Sequence, residues 1–277
     1  MDNLPTALQE AIAQAEQSDG GPAVAARALG LMDLTSLNDT DSQADIDLLC
    51  TRAISPAGAV AAVCVNPDLA GYAKRRLDGS GVKVATVVNF PAGLTNDAAV
   101  IAEIDAAVQA GADEIDAVLP QDLAAAGATA DIERRLSAWQ PHCGGRPFKI
   151  ILESGLIADA GHLRAIADAA IAGGADMLKT STGKGPPGAS MAAAAVFCQA
   201  VLASERAVGV KLSGGIRTAG DAGRYLGLVD ALMGVDWVQP NRFRFGASGL
   251  LTALLADLGH PLVPEEPSGP PATPAAY

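Results

Sequence analysis

The sequence predicts an α/β fold: a closed (β/α)8 barrel of the TIM type, with an extra N-terminal helix and a Pro-rich C-terminal tail. Three observations carry that prediction. Eight short apolar runs alternate with eight alanine-rich stretches of helical length. The junctions recur, as A-G-A-D at 110–113 and G-G-A-D at 173–176, each putting glycine where a helix needs a left-handed cap before the next strand. A chain of 277 residues, 49% hydrophobic, fits one barrel of about 250 residues with short extensions.

The elements follow in order. Residues 4–18 are amphipathic and read as the extra helix, packed across the bottom or side of the barrel. The apolar runs lie at 28–34, 60–65, 82–90, 113–119, 147–153, 175–180, 207–213 and 234–238. The helical stretches lie at 41–55, 68–78, 96–110, 129–139, 159–172, 190–205, 218–233 and 247–258. An open doubly wound sheet shares the alternation but usually has fewer strands, so the count of eight favours the barrel. Residues 1–259 are expected to form one domain. The stretch 260–277 holds six of the 17 prolines and reads as an extended, flexible tail.

Charge and composition narrow the function. A net charge of −12 repels nucleic acid and anionic lipid surfaces, so an anionic substrate needs a local cluster of cations. No long apolar span and no secretion signal are evident, which makes a cytoplasmic protein without membrane or nucleic-acid partners the expectation. Cys50, Cys64, Cys143 and Cys198 are widely spaced and fit reduced thiols, with Cys64 also a candidate pocket residue. His142, His162 and His260 form no H-x-H or H-E-x-x-H, so no metal site is expected. No G-x-S-x-G is present, and the phosphate-loop pattern G-x-x-x-x-G-K-[S/T] fails. The literal G-x-G-x-x-G at Gly183, Gly185 and Gly188 carries Pro186 and Pro187, which offer no N–H to a pyrophosphate.

In a parallel barrel the active site lies at the C-terminal ends of the strands. Asp116, Lys179 and Lys211 interrupt apolar runs in the expected fourth, sixth and seventh strands, and a buried charge needs a partner. Two lysines meeting in a low-dielectric mouth disfavour each other's protonation, and a neutral lysine amine attacks carbonyls to give a Schiff base. The other lysine and the carboxylate can then move protons. The competing reading of the three is a structural ion cluster. Glu153 and Asn89, at the ends of the fifth and third runs, are weaker candidates. The loops S-T-G-K-G (181–185), S-G-G-I-R (213–217) and F-G-A-S-G (245–249) suit an anion, with Lys184 and Arg217 adding charge.

The segments L-M-D-L-T-S-L-N-D, V-A-T-V-V-N-F-P-A-G, G-A-D-E-I-D-A-V-L-P, K-T-S-T-G-K, G-V-K-L-S-G-G-I-R-T and R-F-G-A-S resemble, in order from Leu29 to Gly259, the deoxyribose-phosphate aldolase (DeoC) family. The resemblance implies a class I aldolase without cofactor, cleaving 2-deoxy-D-ribose 5-phosphate reversibly to D-glyceraldehyde 3-phosphate and acetaldehyde in deoxynucleotide breakdown. It implies Lys179 as the Schiff-base lysine, Lys211 as its proton-handling neighbour and Asp116 as part of the proton relay. Thr180, Gly183, Lys184, Gly214, Gly215, Arg217, Gly246 and Ser248 would bind the substrate and its phosphate. Members often carry two serines in the last glycine loop where this chain has Ser248-Gly249, and some end in a tyrosine, as here in Tyr277, which a tail could carry to the site as a proton relay. Another Schiff-base aldolase or transaldolase, or a non-catalytic sugar-phosphate-binding barrel, are the alternatives. The oligomeric state is left open, a homo-oligomer included.

Overall fold

The computed structural model describes residues 1–185 and 187–260. Eight parallel strands close into a barrel: β1 (Met32–Thr35), β2 (Ala62–Val65), β3 (Lys83–Val88), β4 (Glu114–Val118), β5 (Phe148–Ile151), β6 (Met177–Lys179), β7 (Gly209–Ser213) and β8 (Phe243–Ala247). Each pairs with its sequence neighbours, and β1 closes the ring between β8 and β2. The alternation of apolar runs and helices therefore yields the expected TIM barrel. The proposed tail, and Tyr277 with it, lies beyond the described residues except for His260.

Two helices precede β1, α1 (Thr6–Ala15) and α2 (Pro22–Leu29), where the sequence reading has one. Pro22 supplies a pre-set φ at the first turn of α2, and Ala28 and Leu29 belong to that helix instead of to the first strand. α1 packs on the flank of the barrel, against α9 (Met191–Ala203) and α10 (Ala219–Met233). A short hairpin, Ile54–Ser55 with Gly58–Ala59, follows α3 (Gln43–Arg52). The layer is completed by α4 (Pro67–Arg76), α5 (Asp97–Gln109), α6 (Gln121–Ala126), α7 (Thr129–Trp139), α8 (Ala160–Ala172) and α11 (Leu250–Asp257). Among the described residues no helix is long and apolar enough to cross a membrane.

The eighth strand is displaced from its expected place. Residues 234–238 are a positive-φ glycine, Gly234, and a 3-10 turn, Val235–Trp237, with Val235 61% exposed. The strand is F-R-F-G-A, in which every residue is buried. A charged residue in its centre hides it from a search for apolar runs, whereas G-V-D-W-V looks β-rich but follows directly on the long helix α10.

Period-two alternation sorts each strand into outward and inward faces. The outward set, including Val63, Val84, Ile150, Leu178, Leu212, Phe243 and Phe245, joins the helices in one large apolar core. The inward set divides. On β2 and β3, Cys64, Ala85 and Val87 join Leu37 in a small separate apolar cluster. On β1 and β4 to β8 the interior holds buried charge instead: Asp33, Glu114, Asp116, Lys149, Lys179, Lys211 and Arg244, none more than 5% exposed. Barrel interiors are ordinarily filled by branched aliphatic side chains, and each buried ion costs several kcal/mol of solvation before its partners offset it.

Candidate active site

Strand register brings the charges together. Asp116 on β4 lies beside Lys149 on β5, Lys179 on β6 beside Lys211 on β7, and Lys211 in turn beside Arg244 on β8. Asp116 is the hub. Its Oδ1 accepts from Lys149 Nζ at 2.6 Å, and its Oδ2 accepts from Lys179 Nζ at 2.8 Å and Lys211 Nζ at 2.7 Å. Lys211 also donates to Asp33, and Lys149 pairs with Glu114 at 2.7 Å. Arg244 bonds Asp33 and Glu114, closing the network on the side away from Lys179.

The two lysines bound to the same carboxylate oxygen are driven in opposite directions. Burial lowers the pKa of Lys179, and the Lys211 ammonium pushes the same way, so the amine falls below the ordinary lysine value despite Asp116. Burial also opposes the Lys211 charge, but Asp116 and Asp33 outweigh it and its pKa is raised. Lys149 is raised too, burial being overcome by Asp116 and Glu114. Asp116 is held well below the usual carboxylate range: burial works against its charge, but Lys149, Lys179 and Lys211 prevail.

Of the seven buried charges only Lys179 opens into the cavity at the C-terminal ends of the strands, a space of about 550 Å3. Among the described residues its walls carry Lys179, Lys184 and Arg217 and no carboxylate, a positive hollow in a protein of net charge −12. The three glycine loops converge on it, through Gly183, through Gly214 and Gly215, and through Gly246, Ser248 and Gly249. α9 and α10 begin with the side-chain caps Ser190 and Thr218. α11 begins at Gly249 with no side-chain cap, which leaves backbone N–H groups at its start for an anion.

The remaining expected residues divide. Thr180 is fully buried, and its hydroxyl donates to Ser213 O and accepts from Ser213 N across β6 and β7, so it does not reach the cavity. Asn89 has φ 53 and binds Leu94 and Val118 backbone, fastening the loop after β3. Glu153, at φ 49, accepts from the Thr182 N–H at 3.2 Å and steadies the loop after β6. Lys184 reaches over the cavity to donate to the Leu37 carbonyl in the loop after β1. Gly246 makes room: a Cβ there would sit 3.0 Å from Lys211 Cε. Cys64 is buried in the small apolar cluster with its thiol pKa raised by burial. Asp33, Glu114, Lys149 and Arg244 are site residues that the sequence reading does not single out. They carry the same signal that marks Asp116, a charge inside an apolar run.

A protein-family model described as DeoC/LacD family aldolase matches residues 27–235. The chain belongs to that family. It is thus an aldolase by descent, an enzyme of carbon–carbon bond cleavage and formation. Its fold is also that of solved family structures. One from Coccidioides immitis, provisionally assigned as a deoxyribose-phosphate aldolase, is 26% identical with a TM-score of 0.75, covering 92% of this chain and 99% of that one. The deoxyribose phosphate aldolase of Aeropyrum pernix, whose structure is tetrameric, is 26% identical with a TM-score of 0.69, covering 91% and 98%. A Toxoplasma gondii structure of the same provisional assignment, 24% identical over 86% of this chain and 96% of that one, shares the fold with a TM-score of 0.77.

Proposed function

We propose that this aldolase cleaves 2-deoxy-D-ribose 5-phosphate reversibly to D-glyceraldehyde 3-phosphate and acetaldehyde through an imine on Lys179. The observation that carries the reading is that the one member of the buried network facing the cavity is also the lysine driven towards its neutral form. The names of the Coccidioides and Aeropyrum relatives support the substrate.

In the cleavage direction the Lys179 amine adds to the aldehyde carbon of the open-chain sugar. Loss of water leaves a protonated imine. A base takes the proton of the 3-hydroxyl, the bond between carbons 2 and 3 breaks, and its electron pair passes into the imine to give an enamine. Glyceraldehyde 3-phosphate leaves, carbon 2 is protonated, and water releases acetaldehyde and the free amine. Asp116, whose Oδ2 accepts from Lys179 and from Lys211, and Lys211 itself are the groups that hold and move these protons. Leu37, from the small apolar cluster, lines the cavity and offers it an apolar wall.

Lys184, Arg217, the Gly183, Gly214, Gly215 and Gly246 backbone, Ser248 and the uncapped start of α11 would take the phosphate. Two charge-assisted contacts are each worth about 1.5–3 kcal/mol. Lys184→Ala and Arg217→Ala are therefore expected to raise KM for the phosphorylated sugar about tenfold or more, while leaving turnover of unphosphorylated 2-deoxyribose near the parental rate. Equal losses on both sugars would remove these residues from phosphate binding.

Reduction with borohydride in the presence of acetaldehyde, followed by peptide mass spectrometry, tests the central step. A two-carbon adduct on Lys179 is the expected result. Folded protein without that adduct would overturn the imine reading, and an adduct obtained with dihydroxyacetone phosphate but not with acetaldehyde would assign a different Schiff-base aldolase.

A further inference from the structure

The buried network runs through the barrel from one end to the other. At the catalytic end Lys179 opens into the cavity; at the opposite end Glu114, Lys149 and Arg244 border a second cavity of about 650 Å3. Three carboxylates, Asp33, Glu114 and Asp116, face four bases, Lys149, Lys179, Lys211 and Arg244. With Lys179 neutral the charges cancel, three against three. With Lys179 protonated the set carries one excess positive charge, which side chains so deeply buried tolerate poorly.

We propose that Glu114 and Arg244, neither of which touches the cavity of Lys179, are positioning residues that fix the net charge of the network and so the pH range in which the Lys179 amine is free to react. Their reach is through shared partners. Arg244 bonds Asp33, which holds Lys211; Glu114 holds Lys149, which shares Asp116 with Lys179. The groups around Lys179 are Asp116 on β4, Lys211 on β7 and the Cys64 thiol on β2, with Lys149 on β5, Asp33 on β1, Glu114 on β4 and Arg244 on β8 behind them. Cys64 stays an uncharged thiol because burial raises its pKa, so it does not enter the count. The inference rests on the imine reading of Lys179.

The test follows from the arithmetic of charge. Glu114→Gln removes a negative charge and leaves the resting network at plus one, so protonating Lys179 becomes harder. Arg244→Met removes a positive charge and leaves it at minus one, so protonating Lys179 restores neutrality and becomes easier. The rate at which acetaldehyde and cyanoborohydride trap the enzyme, followed against pH, has an acid limb set by this protonation. That limb is expected to move to lower pH in Glu114→Gln and to higher pH in Arg244→Met, by about one pH unit each. The double variant, with both charges gone, is expected to return to the parental position, as is Arg244→Lys, which keeps charge but not geometry.

A purely structural role would slow trapping in all of these without opposite displacement. Limbs that stay in place, or move the same way, in folded variants overturn the inference while the parental adduct on Lys179 stands. Should Arg244→Met fail to fold, the shift in Glu114→Gln and its reversal in the double variant decide the matter. Absence of any adduct in the parental protein would remove the imine reading and this inference together.

Discussion

Lys179→Met is expected to lower kcat for 2-deoxyribose 5-phosphate by about 10^4-fold or more, because no other amine of the network opens to the cavity to form the covalent intermediate. Lys211 cannot substitute, since Asp116 and Asp33 keep it charged against the pull of burial. The same substitution is expected to leave folding intact. Removing the fourth base leaves three carboxylates opposite three cations, and the thioether fills an interior space without asking for a hydrogen bond. Steady-state kinetics beside thermal unfolding measure both halves: activity retained within tenfold would place the covalent step on another residue, and a collapsed unfolding transition would mean that Lys179 is needed for the fold itself.

Asp116→Asn is expected to be the most damaging change for stability and activity together. It removes the acceptor shared by Lys149, Lys179 and Lys211 and leaves four bases facing two carboxylates. Breaking a fully buried ion pair costs about 3–5 kcal/mol, and loss of a proton-handling group costs about 10²–10⁴ in rate. The sign of the pH dependence is a further check. In the parental protein the raised pKa of Lys211 stabilises the fold fully below the ordinary lysine range, and that stabilisation is lost as pH rises through the folded value. In the variant the crowded lysines prefer to lose protons on folding, so its stability climbs as pH approaches that range. The urea midpoints of the two proteins should therefore be far apart at pH 7 and draw together above about pH 10. A constant gap would mean that the lysines are not the groups Asp116 holds.

Seven of the eight strands overlap the runs that the sequence marks, because outward positions are aliphatic and the flanking helices alternate with them regularly. β8 is hidden by its own composition. Arg244 in its centre and Gly246 beside Lys211 replace the aliphatic side chains by which a strand is recognised. The helices α2 and α6 are short and alanine-rich and pass for parts of neighbouring segments.

For the site, sequence alone selects Asp116, Lys179 and Lys211, and strand register joins them through one carboxylate. What it lacks is the closure of the barrel. Asp33 and Lys211 are 178 positions apart and become partners only when β1 returns to β8, beside β7. Thr180 shows the opposite limit: its place in K-T-S-T-G-K marks it for substrate, yet its side chain turns to the Ser213 backbone.

The bond from Lys184 to the Leu37 carbonyl makes entry into the cavity a contest. An ammonium engaged with a backbone oxygen on the far rim is a tether between the loops after β6 and β1, and an incoming anion has to win it away. A phosphoryl group offers a full charge where the carbonyl offers a partial one, so on the proposed reading it can take the ammonium from Leu37. The same side chain would then serve a charged guest twice, at the doorway and at the seat.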